Sequence, residues 1–94
     1  MNTEFEINGL EFSEILPTKY RWNEAKAMER DGWRLPKKHE IMMLYDVTES
    51  GGNYLLWTSE EVGRTVAWAF GTLGLFLCVY PKIVKCDVRL VRGL

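Results

Sequence analysis

The spacing of apolar residues changes along this chain, and each change marks a different element. Phe5-Glu6-Ile7 and Leu10-Glu11-Phe12 alternate apolar and charged side chains on either side of Asn8-Gly9. A two-residue period predicts a strand, and Asn-Gly is well suited to positive φ at both positions of a tight turn, so this segment predicts a hairpin. Ile15, Leu16 and Pro17 lead out of it, with Pro17 opposing further regular pairing. From Arg21 to Asp31 the period lengthens: Trp22, Ala25, Ala27 and Met28 fall on one side and Glu24, Lys26, Glu29 and Arg30 on the other, which predicts a helix. Gly32 follows where a left-handed C′ residue would stop that helix. Trp33 and Leu35 then point inward on a short extended segment, and Pro36 sets up a second helix over Lys38 to Tyr45. Ile41, Leu44 and Tyr45, with Met42 or Met43, form its apolar face, and Glu40 lies in the first turn, where a carboxylate suits the helix dipole.

Val47 to Asn53, containing Thr48, Ser50, Gly51 and Gly52, reads as a loop. Beyond it Tyr54 to Thr58, Arg64 to Phe70, Leu73 to Tyr80 and Val84 to Val91 are rich in β-branched, aromatic and leucine residues and are broken by Gly63, Gly71, Gly74 and Pro81. Strand, helix, helix and then an antiparallel run of strands predict an α+β domain with its helices packed on one sheet. At 94 residues, with 47% hydrophobic content, the whole chain 1–94 is expected to form one domain around a single core.

Charge adds a constraint on how the ends meet. Twelve Lys and Arg against thirteen Asp and Glu give a net charge of −1, so no overall basic field favours nucleic acid or an anionic membrane. Glu4, Glu6, Glu11 and Glu14 make the beginning acidic, whereas Lys82, Lys85, Arg89 and Arg92 make the end basic. Apposition of the two ends is therefore electrostatically favourable. The first residues have neither a basic nor an apolar signal segment, and Leu73 to Tyr80 is far too short to span a bilayer, so a cytoplasmic protein is expected.

Candidate chemistry is sparse. Cys78 and Cys86 have no metal-ligand spacing. A hairpin turning near Lys82 would set them opposite one another, leaving free buried thiols or a cross-strand disulfide open. Asp46, Glu49 and Asn53 carry oxygen ligands but match no calcium-loop spacing. His39 has no placed carboxylate or serine partner and reads as an exposed helix residue. Arg34, flanked by inward Trp33 and Leu35, needs an internal partner such as Glu40 or a strand carboxylate, or else joins Lys37 and Lys38 in a small basic patch. Trp22, Trp33, Trp57 and Trp68 are assigned to packing. No catalytic residue, cofactor site or metal site is expected.

Trp22-Asn23-Glu24-Ala25, Gly32-Trp33-Arg34-Leu35-Pro36, Glu40-Ile41 and Leu44, Trp57-Thr58-Ser59-Glu60, Ala67-Trp68 and Val88-Arg89-Leu90-Val91-Arg92 occur in an order and spacing that resembles the DUF1566 family. That family is similar to the C-terminal domain of the Legionella collagen-like adhesin and, more distantly, to the formylglycine-generating enzymes. The resemblance covers roughly Trp22 to Arg92 and implies a C-type-lectin-like fold, in which the terminal strands pair and two helices flank the sheet. Trp22, Gly32, Trp33, Arg34, Leu35, Pro36, Trp57 and Trp68 are its structural motif positions. Where members of that family carry Ser or Thr after Leu-Pro this chain has Lys37, and their closing cysteine is replaced by Leu90.

Leu73-Gly74-Leu75-Phe76-Leu77-Cys78-Val79-Tyr80 is apolar on both alternating faces. A strand with one solvated side alternates with polar residues, so both faces of this one are covered within the domain or one is covered by another chain. Phe76, Tyr80, Lys82 and Ile83 are accordingly the expected partner-binding residues, and self-association into a homodimer is one form of that contact. The expected function is a small non-enzymatic binding module acting through protein–protein contacts, in concrete form a phage- or bacteria-encoded inhibitor or adaptor. The alternative is a carbohydrate-binding adhesin or virion-surface domain.

Overall fold

A computed structural model of the chain describes residues 1–49 and 51–94, so Ser50 of the expected loop lies outside the described residues. Among the described residues, two antiparallel three-stranded sheets and two helices build the domain, around two core clusters, where a single sheet and a single core were expected. Strand β1 (Thr3–Ile7) and strand β2 (Leu10–Ser13) form the expected hairpin, with Asn8 and Gly9 at φ 52° and 76° in its turn. Strand β6 (Val91–Gly93) pairs with β2 through Leu10↔Gly93, Glu11↔Arg92 and Phe12↔Val91, so the two ends of the chain share one sheet. Opposite charges meet there: Arg92 lies 2.8 Å from Glu11 and Arg89 lies 2.5 Å from Glu4.

The second sheet runs β3 (Leu55–Glu61), β4 (Val66–Gly71), β5 (Phe76–Pro81), with β4 central. Alternation along β4 divides the interior into two cores. Ala67 and Ala69 face one cluster with Trp22, Ala25, Trp33, Leu35, Trp57, Val88 and Leu90. Phe70 faces the other, with Phe12, Leu56, Val91 and the Ile41, Leu44 and Tyr45 face of helix α2 (Lys38–Thr48). The buried indoles are satisfied by backbone carbonyls: Trp22 Nε1 donates to Thr58 at 2.9 Å and Trp57 Nε1 to Tyr20 at 2.8 Å.

Three expectations are corrected. The first helix, α1, spans only Trp22–Lys26, and Gly32 does not cap it. Instead Arg30 and Trp33 exchange backbone hydrogen bonds of 3.1 and 2.9 Å around Asp31 (φ 56°) and Gly32 (φ 84°). Asp-Gly favours a hairpin turn with both φ positive, and that turn ends the helical run early. The second helix continues to Thr48, three residues past the expected end at Tyr45, and stops at Glu49 in the left-handed region. Its Met43, rather than exposed Met42, joins the apolar face.

The last segment departs furthest. Val84 to Leu90 does not form a strand of a meander; it threads between the two sheets and changes partner every residue or two. Cys86 bridges to Tyr20, Asp87 runs parallel to Leu56, the Val88 carbonyl accepts from Leu16 at 2.9 Å and that of Leu90 from Ser13 at 2.8 Å. Cys86, Val88 and Leu90 are buried on one side of this segment, which explains the strand-like alternation. With its backbone groups shared among both sheets, a continuous ladder is not available to it.

Candidate functional site

Among the described residues strand β5 pairs with β4 alone, at the edge of its sheet. Its hydrogen-bonding phase follows from two observations. The Lys82 N–H donates to the Thr65 carbonyl at 2.8 Å, and the Thr72 N–H donates away from β5, to Tyr54, at 2.9 Å. In an antiparallel pair the hydrogen-bonded positions alternate, so Phe76, Cys78 and Tyr80 turn their backbone groups toward β4. Leu77 and Val79 turn theirs outward, and Pro81 presents a carbonyl but no N–H.

Both faces of β5 are partly covered within the domain. Leu77 packs against the α2 core and Cys78 and Tyr80 against the tryptophan core. The cover is incomplete, because Phe76 and Val79 remain 49% and 47% exposed. Phe76 lies across from Gly71 in the ladder, its ring occupying the space a Cβ on Gly71 would need.

The expected strand start at Leu73 is instead a turn through Gly74 (φ 93°) and Leu75 (φ 54°), and Leu73 and Leu75 are 65% and 54% exposed at its tip. Leu75 closes one side of a cleft of about 330 Å³ whose other walls are Met42, Met43 and Asp46 of α2 and Phe70 of β4. At the opposite end of α2 the Lys38 ammonium sits 4.4 Å over the half-buried Trp68 ring, beside Val79 in the ladder. The result is an apolar surface formed by the outer flank of α2, the β4–β5 turn and the β5 edge.

Of the residues expected to bind a partner, Phe76 is exposed at the β5 edge but projects with Cys78 and Tyr80 from the face of the sheet away from α2, Tyr80 is partly buried in the tryptophan core, and Ile83 is exposed in the turn beyond β5. Lys82 is different. It is 7% exposed, its ammonium lies 2.6 Å from Glu61 and 4.3 Å from the Trp22 ring centre, and it therefore holds β5 to β3 and α1. Met42, Leu73, Leu75 and Val79 are exposed here without being among the expected partner-binding positions. Leu73, Leu75 and Val79 stand within the two-sided apolar run, but their exposure follows from the turn at Gly74 and the edge position, which spacing along the chain does not reveal.

Of the structural motif residues, Trp22, Trp33, Leu35 and Trp57 lie in the first core, whereas Trp68, expected to pack in the interior, is half-buried beneath Lys38 outside both cores. Trp33 and Leu35 are buried, and Arg34 forms a two-pronged ion pair with Glu40 at 2.8 Å, the internal partner the sequence asked for. His39 is exposed. Both cysteines are free: Cys78 pairs across from Ala69 and Cys86 from Tyr20, so they do not face one another in a hairpin. Burial, with smaller contributions from Asp87 and Cys78, pushes the Cys86 thiol up to about 12, and burial also raises Cys78. Among the described residues no group of His, Cys, Asp and Glu is placed to hold a metal ion, and no helix is long and apolar enough to cross a membrane.

The chain matches no protein-family model, and no curated protein is similar to it in sequence. Its fold is nonetheless shared with a solved structure. The crystal structure of botrocetin, a C-type-lectin-like protein, superposes with a TM-score of 0.72 over 96% of this chain and 95% of that one, at 10% sequence identity. Similarity of shape at so low an identity speaks to the fold alone. The two helices and two antiparallel sheets described above are thus a C-type-lectin-like α+β arrangement.

Proposed function

We propose that this protein is a non-enzymatic binding module that acts through protein–protein contacts, with the surface between α2 and the β4–β5 turn as its binding face. One observation carries the reading: Met42, Leu73 and Leu75 are exposed apolar residues on α2 and the adjoining β4–β5 turn, beside a cleft of a size to receive an apolar side chain. Scattered exposed apolar residues need no explanation, but a contiguous group around a cleft is characteristic of interaction sites. The ionised rim of Lys38 and Asp46 fits the common pattern of an apolar centre with a polar border. An inhibitor or adaptor encoded by a phage or bacterium, working in the cytoplasm, is the concrete form of this function.

Affinity capture from a bacterial lysate, run in parallel with the wild-type chain and Leu75→Asp, tests the proposal. A protein retained in stoichiometric amount by the wild type and lost with the variant, at unchanged melting temperature, is the expected result. Retention of no protein, together with saturable binding of an oligosaccharide, would sink it in favour of the carbohydrate reading.

A further inference from the structure

We infer that the outer edge of β5 is occupied by a second copy of this chain, paired antiparallel about a two-fold axis at Cys78. The edge is unusual in lacking the protection that solitary edge strands carry. Phe76-Leu77-Cys78-Val79-Tyr80 contains no charged residue, and only Pro81, at its end, blocks pairing. A two-fold axis closes such an edge into a finite assembly, whereas any other repetition of it would propagate.

Backbone phase selects the register. The outward groups are the N–H and C=O of Leu77 and of Val79. Setting Leu77 of one copy against Val79 of the other makes both a hydrogen-bonded pair, so every one of these groups gains a partner. Centring the axis on Val79 would set Leu77 against Pro81, which has no N–H to give. Centring it on Leu77 would set Val79 against Leu75, which has already left the strand at φ 54°. With the axis at Cys78, Pro81 meets Leu75 of the second copy and the ladder ends there.

Side chains and charges agree with that register. The five residues read aromatic, aliphatic, cysteine, aliphatic, aromatic, so Phe76 meets Tyr80, Leu77 meets Val79 and Cys78 meets itself. On the α2 face, Lys38, Met42 and Asp46 lie at successive four-residue steps of the helix, with Lys38 at the Val79 end of the strand and Asp46 at the Leu75 end. The two-fold turns Lys38 of one copy to the same side as Asp46 of the other, which is complementary in charge. Only a short ladder is formed, so the association is weak and concentration-dependent.

This goes beyond the proposed function, since it assigns the β5 edge to self-association and leaves the cleft beside Leu75 to a different protein. Sedimentation equilibrium of the wild type, Cys78→Ser and Val79→Lys across the micromolar range tests it. Copper(II) phenanthroline oxidation accompanies each, the copper taking one electron from each thiol as both lose their protons and the S–S bond forms. Wild type and Cys78→Ser should approach twice the monomer mass as concentration rises. Val79→Lys should stay monomeric at unchanged melting temperature. Oxidation should give a covalent dimer from the wild type and none from Cys78→Ser. A wild type that stays monomeric throughout, whether or not it takes up a different protein, overturns the inference, as does a Val79→Lys chain that dimerises like the wild type or a covalent dimer formed without Cys78. A monomer that still captures a protein through Leu75 leaves the proposed function standing, and a dimer that captures nothing removes the function alone.

Discussion

The guanidinium of Arg34 donates to both carboxylate oxygens of Glu40 at 2.8 Å, and Glu40 Oε1 also accepts the Lys37 N–H at 2.8 Å. One carboxylate thus ties the extended Trp33–Leu35 segment to the start of α2. It also supplies the helix cap that a side chain at Lys37 cannot, since an ammonium accepts no hydrogen bond. Arg34 in turn exchanges backbone bonds of 2.9 and 2.8 Å with Val91, so the pair reaches the β6 end of the chain. Glu40→Ala removes all three charge-assisted bonds and should cost about 2–4 kcal/mol in urea unfolding, with Glu40→Gln costing less because it can still accept from Lys37.

The same carboxylate predicts a pH dependence. Burial raises the Glu40 pKa, but the Arg34 and Lys37 hydrogen bonds and the nearby Arg34 and His39 charges outweigh it, leaving a value below the ordinary 4.5. A carboxylate whose folded pKa is depressed contributes stability that is present above its unfolded value and lost as pH falls through the folded one. Wild-type unfolding free energy should therefore drop on acidification below pH 4.5. Glu40→Gln should lose this component of the slope, and equal acid slopes for the two proteins would refute the assignment.

Lys82 offers a test of a charge held inside the fold. Its side chain is 8% exposed between Glu61 and the Trp22 ring. Lys82→Ala loses the ion pair, the cation–π contact and the methylene packing, and should cost about 2–3 kcal/mol. Lys82→Met keeps the packing and removes the need to desolvate an ammonium, so its cost should be about 1 kcal/mol or less. Thermal or urea unfolding of the two variants distinguishes a structural lysine from one whose removal is silent.

Local chemistry in the sequence was enough to locate the hairpin at Asn8-Gly9, the inward Trp33 and Leu35 and the apolar face of α2, and to show that Arg34 needs a partner, with Glu40 one of the alternatives. Each of these depends on contacts within a few residues or on one periodicity. The segment from Val84 to Leu90 reads as a strand in the sequence because Cys86, Val88 and Leu90 alternate with more polar residues, yet its backbone partners come from both sheets. Asp31-Gly32 carried two meanings, helix stop and hairpin turn, and the Arg30–Trp33 pairing decided between them. The exposed surface was legible as an apolar excess in Leu73 to Tyr80. Its shape was not, because Met42 joins it from α2 and Lys82 leaves it for Glu61, both consequences of tertiary packing.

The two thiols should report their different surroundings. Cys86 is buried with its pKa raised to about 12, whereas Cys78 is only partly buried at the sheet edge. Thiolate is the reactive form, so a disulfide reagent at about pH 8 should label Cys78 slowly and leave Cys86 untouched until the chain unfolds. Peptide mapping after a native and a denatured reaction checks the order. Labelling of Cys86 first would contradict its burial.

Gly71 and Phe76 should behave as a coupled pair. The Phe76 ring fills the space above Gly71, so Gly71→Ala must push the ring off the strand and into solvent, at a cost of about 1–2 kcal/mol. With Phe76 already replaced by alanine nothing opposes the added methyl, and alanine restricts the unfolded chain more than glycine does, so the same substitution should then be neutral or slightly stabilising. A double-mutant cycle by chemical denaturation should show a coupling of about 1 kcal/mol or more, whereas additive effects would mean that the ring does not rest on Gly71. The surface consequence follows directly: in Gly71→Ala the displaced Phe76 also leaves its place opposite Tyr80 of a second copy, so dimerisation should weaken along with stability.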